Sequence, residues 1–424
     1  MIMAPQTFTM IATIIIVLAL TLAEADKISS LPGQPRVKFQ QYSGYIPVDK
    51  QQQRSLFYYF VEAEQDSASK PLVLWLSGGP GCSSVGFGAF MEHGPFKPGD
   101  NNVLLKNDFS WNKARDSLVF LQRWFTKFPE YSNNDFYIAG ESYAGHYVPQ
   151  LAQLIVQTKT KLNLKGIVIG SPLLEFNTNC NSKTEFLWSH GLISDSTYQV
   201  LNRVCNFSTI MRQQIINGNL SGACAEVNNT VYSEVSEYID AHDVTLDVCL
   251  PSGNQQANVL NQLQRTQKID VCVEDKITTF LNRREVQKAI HAKLVGVTKW
   301  LSCSEVLNYD YQNFEIAIIP ILGSLVKSGI RVIVYNGDQD SVIPLMGSRS
   351  LVDGLAKQIG LNTTVAYRAW FEERQVAGWT QVYGDILSFA TIRGASHEAS
   401  FTQPERSLVL LQAFLEGKPL PNIV

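Results

Sequence analysis

The sequence predicts an α/β protein with one parallel sheet and a large insertion. Apolar runs such as "PLVLWLS", "DFYIAG" and "GIRVIVYNGDQD" alternate with helix-like patterns near both ends of the chain. A short run that is almost entirely apolar is typical of a strand covered on both faces by helices. Between Asn179 and about Glu315 the pattern changes to polar helices, six of the seven cysteines and three of the four Asn-X-Ser/Thr sequons.

This change in sequence pattern predicts the domain boundaries. We expect residues 26–178 and 316–424 to form the α/β core. Residues 179–315 are expected to form a cap over the strand ends, held together by disulfides.

The N-terminus indicates secretion. An apolar run from about Met10 to Leu22 is followed by small residues at Ala23 and Ala25, a pattern typical of a signal peptide spanning residues 1–25. A buried N-terminal helix is the alternative. Seven cysteines and four sequons agree with an oxidising, secretory route, so we expect the protein to be secreted or vacuolar. The candidate glycosylation sites are Asn206, Asn219, Asn228 and Asn362.

Charge and hydropathy exclude other classes of partner. The formal net charge is −3 over 424 residues, and no run is rich in lysine or arginine, which argues against a nucleic-acid partner. No second apolar run reaches membrane length, so we expect no membrane span.

Ser142 is the first candidate for chemistry. In "DFYIAGESYAGHYVP" it follows an apolar strand and precedes a helical pattern, with Gly140 and Ala144 on either side. Such a sharp turn exposes a serine nucleophile and aims the following N–H at a developing oxyanion. The motif alone arises often by chance, and its place between strand and helix gives it weight.

A serine nucleophile needs a base and a group that orients the base. Downstream, "VIVYNGDQD" ends one strand with Asp338 and Asp340, and "SFATIRGASH" ends another with His397. We prefer Asp340, which lies beyond the turn, and expect Asp338 to form the turn. The alternative for His397 is an ordinary surface histidine. The loop "LSGGPGCSS" can supply oxyanion donors, because Gly78 and Gly79 let the backbone approach a ligand closely.

Together, "LVLWLSGGPGCSS", "DFYIAGESYAGHYVPQLAQL", "GDQDSVIP" and "IRGASHEASFTQPERSL" resemble the serine carboxypeptidases, especially the plant serine carboxypeptidase-like proteins. The resemblance implies an α/β-hydrolase fold with Ser142 as nucleophile, His397 as general acid/base and Asp340 as orienter. It also implies oxyanion donors at Gly79 and Tyr143.

The resemblance further implies how a substrate would be recognised. A peptide's terminal carboxylate would bind Ser77, Gly78, Glu92 and Glu141. At least one of the two glutamates must be protonated to donate a hydrogen bond to a carboxylate, so we expect activity at acidic pH. Spacing alone leaves open that Glu92 is a surface residue. The implied partners are peptides with a free C-terminus, with no metal or other cofactor.

The resemblance also implies disulfide pairs and leaves one cysteine over, Cys180. The implied pairs are Cys82–Cys303, Cys205–Cys224 and Cys249–Cys272.

Two positions depart from the family pattern. Position 77 is serine where asparagine is common, which still leaves one donor. More importantly, Lys113 runs directly into Ala114, where relatives have a further strand and loop resembling "LESPAGVGFSYS". The missing strand would lie beside the one that ends at Leu76. We expect its loss to leave unpaired backbone groups and exposed apolar side chains.

Three functions compete at this point. The first is a secreted serine carboxypeptidase. The second is an acyltransferase that moves acyl groups from sugar esters to alcohols. Glu141 favours the peptidase, because acyltransferase-like relatives tend to have aspartate before the nucleophile. The third is an inactive protein whose core is damaged by the missing segment.

Overall fold

The computed structural model describes residues 23–111, 118–250, 269–293 and 296–422. Most of the predicted signal peptide, residues 1–22, lies outside these ranges. The strands are β1 (Gln41–Asp49), β2 (Arg54–Val61), β3 (Leu72–Leu76), β4 (Phe96–Pro98), β5 (Leu104–Lys106), β6 (Phe136–Glu141), β7 (Leu164–Gly170), β8 (Arg331–Gly337), β9 (Thr363–Glu372), β10 (Gln375–Tyr383) and β11 (Leu387–Ile392). The α-helices are α1 (Leu118–Lys127), α2 (Ala144–Gln157), α3 (Phe176–Ser189), α4 (Asp195–Arg203), α5 (Phe207–Met211), α6 (Gly222–Val235), α7 (Val273–Leu281), α8 (Arg284–Ala289), α9 (Ile319–Lys327), α10 (Leu345–Gln358), α11 (Ala399–Thr402) and α12 (Pro404–Leu415).

The main sheet has seven strands in the order β3-β6-β7-β8-β11-β10-β9. The first five are parallel, as the sequence predicts, and β9 and β10 add an antiparallel hairpin that the sequence pattern does not predict. The fold is therefore an α/β-hydrolase sheet with helices and disulfides. Because the five parallel strands point the same way, their carboxyl ends share one edge, where the site is built.

Helices cover both faces of this sheet. Along β3, Leu72 and Leu74 pack into one apolar cluster, while Val73 and Trp75 pack into another on the opposite face. The first cluster includes side chains from α1, α2, α9 and α10, and the second includes side chains from α12. This double coverage explains why β3 is apolar at every position.

The main sheet ends at β3 and does not continue into β1 and β2. Strands β1 and β2 pair only with each other, and β3 forms the edge of the seven-stranded sheet although all five of its residues are buried. The N–H of Leu72 donates to Asp135 on the β6 side, so the N–H and C=O groups of Val73 and Trp75 point away from β6. No hydrogen bond joins these outer groups to any residue in the described ranges.

This open edge is where the sequence predicts a missing strand. The expectation of unpaired backbone groups agrees with the structure. The expectation of exposed apolar side chains is wrong, because Leu72 through Leu76 remain buried between the two clusters.

The cap has its own core. Helices α3 to α6 enclose an apolar cluster that includes Phe186, Leu201 and Val227. Disulfides join Cys205 to Cys224 and Cys249 to Cys272, and Cys180 is free. A third disulfide, Cys82–Cys303, ties the cap region to the loop after β3. All three pairs are those that the resemblance implies.

None of the helices in the described ranges is both long and apolar enough to cross a membrane.

Candidate active site

Ser142 lies at the turn between β6 and α2 and has a φ of 60°. A left-handed backbone at a residue other than glycine is strained by about 1–3 kcal/mol and persists only where the surroundings enforce it. Here the Ser142 N–H donates to Gly170 on β7, and the Ser142 carbonyl accepts from Gly145 and Leu173. These bonds hold the hydroxyl outward at the carboxyl edge of the sheet.

Crowding explains the glycines around Ser142. A Cβ on Gly140 would lie 2.4 Å from the carbonyl oxygen of Leu76 and 2.8 Å from the Cβ of Ala144. A Cβ on Gly145 would lie 2.7 Å from the carbonyl oxygen of Leu173. The turn therefore requires small residues where the sequence has them, as predicted for positions 140 and 144.

His397 and Asp340 are in direct contact. The Nδ1 of His397 lies 2.8 Å from the Oδ2 of Asp340, and both side chains are buried. The other oxygen of Asp340 accepts from the N–H groups of Val342 and Ile343. The carboxylate is thereby fixed to face the imidazole. The surface alternative for His397 is wrong.

Asp338 has a different role. Its Oδ1 accepts from the Gly394 N–H at 2.6 Å and from the Gln339 side chain at 3.0 Å. These bonds stabilise the turn after β8, so Asp340 rather than Asp338 faces His397.

The environment of His397 favours its charged form. Burial lowers the pKa of His397, but the charge and hydrogen bond of Asp340, with the charges of Glu398 and Glu92, outweigh it and raise the pKa to about 9. The site therefore stabilises the imidazolium that forms when a nucleophile is deprotonated.

Topology brings Ser142 to the same edge as His397 and Asp340. The three residues follow β6, β11 and β8, which are neighbours or near neighbours in the sheet. Within the described part of the chain, the Ser142 hydroxyl makes no hydrogen bond to another residue. Such contacts are often loose without substrate and tighten on binding.

The predicted oxyanion loop packs directly on the nucleophile turn. A Cβ on Gly78 would lie 2.5 Å from the backbone nitrogen of Tyr143 and 2.7 Å from the Cβ of Ser142. Gly79 has a φ of 106°, which favours glycine. The Cys82 N–H donates to the Gly78 carbonyl, and the Cys82–Cys303 disulfide anchors the loop. The predicted oxyanion donors, Gly79 and Tyr143, thus belong to two backbone segments in close contact.

Glu92 and Glu141 form a buried carboxyl pair beside Ser142. They are 0% and 4% exposed, so the surface alternative for Glu92 is wrong. Burial, and then the charges of Glu92 and Glu398, raise the pKa of Glu141 well above its usual range. Burial also raises the pKa of Glu92, to about 7. The environment therefore favours a protonated Glu141 beside Glu92.

One oxygen of Glu92 is already satisfied and the other is not. Its Oε2 accepts from the Ser400 hydroxyl at 2.9 Å, while its Oε1 has no hydrogen-bond partner among the described residues. A proton on Glu141 leaves the pair with at most one negative charge. Without that proton, two buried negative charges would face each other, which is strongly unfavourable.

Ser77 is buried directly after β3, at the start of the predicted oxyanion loop. Its hydroxyl oxygen accepts from the Trp75 indole N–H at 3.2 Å, and its backbone N–H donates to the Ser84 hydroxyl at 3.0 Å. The hydroxyl proton of Ser77 thus remains available for a ligand.

An aromatic wall next to the nucleophile was not found from the sequence. The ring of Tyr143 lies 4.8 Å from Phe314 and 5.8 Å from Tyr309, measured between centroids, and the hydroxyls of Tyr147 and Tyr309 are hydrogen-bonded. Tyr309 and Phe314 come from a chain segment far from Ser142, with no periodic pattern to flag them. Tyr143 is buried in this wall, whereas Tyr309 and Phe314 remain partly exposed.

Metal ligation has no candidate here. Across the ranges that the structure describes, no group of three or more histidine, cysteine, aspartate or glutamate side chains is arranged to hold a metal ion.

The four sequons differ in accessibility. Asn219 and Asn362 are exposed, whereas Asn206 and Asn228 are half-buried. The side chain of Asn206 also accepts from the Thr209 N–H at the start of α5. Glycosylation stays a prediction at all four.

Comparison with known proteins identifies the family. A sequence model of the serine carboxypeptidases matches residues 32–118 and 113–417, two stretches that overlap at 113–118. Serine carboxypeptidase-like 45 from Arabidopsis thaliana is 55% identical over 436 residues, covering 95% of this chain and 94% of the relative. A prohormone-processing carboxypeptidase from Saccharomyces cerevisiae has the same fold, with a TM-score of 0.71, 22% identity and coverage of 93% and 96%.

The relatives are longer at an internal position. Serine carboxypeptidase-like 46 from Arabidopsis thaliana is 51% identical over 457 aligned positions, covering 99% of this chain and 98% of the relative. Because the chain has 424 residues, at least 33 aligned positions face no residue of it. The family model matches the chain in two stretches that meet at residues 113–118, where this sequence lacks the segment expected after Lys113. The chain belongs to the serine carboxypeptidase family, which consists of serine-type hydrolases.

Proposed function

We propose that this chain is a secreted or vacuolar serine carboxypeptidase that releases C-terminal residues from peptides at acidic pH. The observation that carries the proposal is the buried pair Glu92–Glu141, one residue from the nucleophile. A protonated carboxyl at that position is a donor suited to a terminal carboxylate, and an ionised pair would repel it.

The chemistry would proceed through an acyl-enzyme. The Ser142 oxygen attacks the carbonyl carbon of the last peptide bond, and His397 takes the hydroxyl proton. The backbone N–H groups of Gly79 and Tyr143 stabilise the oxyanion. His397 then gives its proton to the departing amine as the C–N bond breaks. Water, deprotonated by His397, hydrolyses the ester and restores Ser142.

The aromatic wall supports a preference for apolar substrates. Tyr143 follows the nucleophile directly, and its buried ring supports the partly exposed rings of Phe314 and Tyr309. We propose that this wall contacts the side chain of the residue that becomes the acyl group. Aromatic contacts of this kind contribute about 0.5–1.5 kcal/mol each.

Two features support the proposed compartment. Three disulfides link cap and loop cysteines, and such bonds persist mainly in oxidising compartments. A carboxyl pair that must keep a proton also suits an acidic lumen.

The competing acyltransferase function would use the same acyl-enzyme with an alcohol in place of water. Glu141 supports the peptidase, since its carboxyl is part of the proposed carboxylate site. Incubation with a sugar ester and an alcohol acceptor distinguishes the two: a transferred acyl product at a higher rate than peptide cleavage would favour the acyltransferase.

The decisive experiment combines active-serine labelling with a matched substrate pair. We expect a fluorophosphonate to label the secreted protein and to leave Ser142→Ala unlabelled. Peptides ending in a free carboxylate should be cleaved at pH 5, and the same peptides ending in an amide should not. Soluble protein without labelling would support the inactive alternative, and equal cleavage of both peptides would contradict the proposed carboxylate site.

A further inference from the structure

A short segment of the cap, residues 240–244, lies against the catalytic edge and carries a second histidine there. We call this segment the strap. The strap bonds to the turn after β8 through three contacts: the Ser341 hydroxyl and N–H both donate to the Ala241 carbonyl, and the Val244 N–H donates to the Gln339 carbonyl. The strap is thus fixed relative to Asp340.

The strap also bonds to the catalytic histidine itself. The His397 N–H donates to the His242 carbonyl at 2.7 Å. The two imidazole rings are stacked, with centroids 5.5 Å apart and planes inclined by 18°. His242 covers one side of His397, while about half of its own side chain stays exposed to solvent.

Several charged groups face His242. From the helix start after β11, the Glu398 carboxylate lies 4.0 Å from its Nδ1. From the strap itself, Asp240 lies 3.9 Å from the same nitrogen, and the buried Asp243 is one residue away. Asp340 lies behind His397. A proton on His242 would therefore pair with Glu398 and sit next to the His397 ring.

We propose that His242 is a positioning residue that keeps His397 able to accept a proton at acidic pH. The stacked ring and the backbone bond hold the His397 imidazole in place. When His242 is protonated, its charge neutralises Glu398 and opposes a second positive charge on His397. The proposal rests on the proposed function, because only an acid-pH enzyme needs this effect.

The effect reduces a conflict within the site. The carboxyl pair binds a substrate carboxylate best at low pH, whereas Asp340, Glu398 and Glu92 favour a protonated His397, which cannot accept the Ser142 proton. A proton on His242, 4.0 Å from the Glu398 carboxylate, counters that charge next to the His397 ring. The fraction of His397 that can accept the Ser142 proton at acidic pH is therefore larger than it would be without His242.

The test measures fluorophosphonate labelling rates at pH 5 and pH 8, which report proton transfer from Ser142 without a peptide. His242→Phe keeps a stacked ring and removes the charge, and His242→Lys keeps a positive charge. We expect His242→Phe to slow labelling about tenfold at pH 5 and less than about twofold at pH 8, corresponding to a change of about one pKa unit in His397. His242→Lys should stay within about threefold of the wild type at pH 5.

His190→Gln is the matched control, since His190 is an exposed cap histidine whose ring contacts are with Phe186. An equal loss at both pH values in His242→Phe would show a purely structural role and overturn the proposal, as would wild-type labelling at pH 5. If the wild type is not labelled at all, the proposal is tested by following the low-field ¹H NMR signal of the His397–Asp340 hydrogen bond as a function of pH. Its titration should move to higher pH in His242→Phe, and an unmoved titration overturns the proposal.

The proposed peptidase function could be wrong while the proposed role of His242 is correct. Normal labelling with the expected pH dependence, but no cleavage of free C-terminal peptides, would leave the role of His242 intact and contradict the peptidase.

Discussion

Restoring the segment after Lys113 should stabilise the protein. The change is to insert, between Lys113 and Ala114, the residues that serine carboxypeptidase-like 45 has at that point. The inserted strand would pair with the open edge of β3, where the N–H and C=O groups of Val73 and Trp75 are buried without partners in the described ranges. A control protein carries a glycine-serine insertion of equal length.

The magnitude follows from those backbone groups. Each buried, unpaired group costs about 1–3 kcal/mol, so four groups correspond to at least about 4 kcal/mol. An unfolding entropy of about 2.1 cal/mol/K per residue gives about 0.9 kcal/mol/K for a chain of this size. The midpoint of thermal unfolding should therefore rise by about 5 °C relative to the control.

The assay is differential scanning calorimetry of the two secreted proteins at pH 5, with fluorophosphonate labelling on the same samples. We expect the restored protein to melt higher and to be labelled at least as fast as the original chain. A restored protein that melts at or below the glycine-serine control would refute the argument, because it would show that the edge of β3 does not lack a strand.

The other predictions concern the site. Asp340→Asn should slow labelling of Ser142 by about 10⁴-fold with an unchanged far-UV circular dichroism spectrum, because His397 loses its orienter; a loss below tenfold would contradict that role. Glu92→Gln removes the carboxyl whose pKa is about 7 and leaves Glu141, whose pKa burial holds higher, so its KM for a free C-terminal peptide should stay constant between about pH 5 and pH 8, while the wild-type KM rises. The folded chain holds the Glu92 proton more tightly than the unfolded chain, so the free energy of unfolding should fall as pH rises from about 4.5 through about 7 in urea titrations. A flat profile would contradict the buried pair. Phe314→Ala should raise KM about threefold to tenfold for substrates with an apolar penultimate residue. The KM for a substrate with glycine at that position should not change.

The sequence predicted the positions of Ser142, Asp340 and His397 better than their surroundings. Ser142 could be placed because a tight turn between strand and helix has a recognisable glycine pattern, and Asp340 could be preferred because it lies beyond the turn that Asp338 forms. His397 followed from its place at a strand end. All three depend on local backbone geometry, which short motifs encode.

Other features depend on tertiary packing and have no local signature. Nothing in "MEHGPF" distinguishes a surface glutamate from the fully buried Glu92. The aromatic wall and the strap join segments more than 100 residues apart, such as His242 and His397. The β9–β10 hairpin was missed because its edge strand is largely exposed and carries only a weak apolar alternation.

The open edge of β3 also has a consequence for how copies of the chain meet. A strand whose backbone groups lack partners is a template for strands from other molecules, and natural sheets usually protect such edges. Here the edge is flanked by apolar side chains on both faces. During folding, before the two apolar clusters have packed around β3, this edge would offer a template to a second copy. Yield and solubility of the short chain should therefore depend on its concentration more steeply than those of its longer relatives.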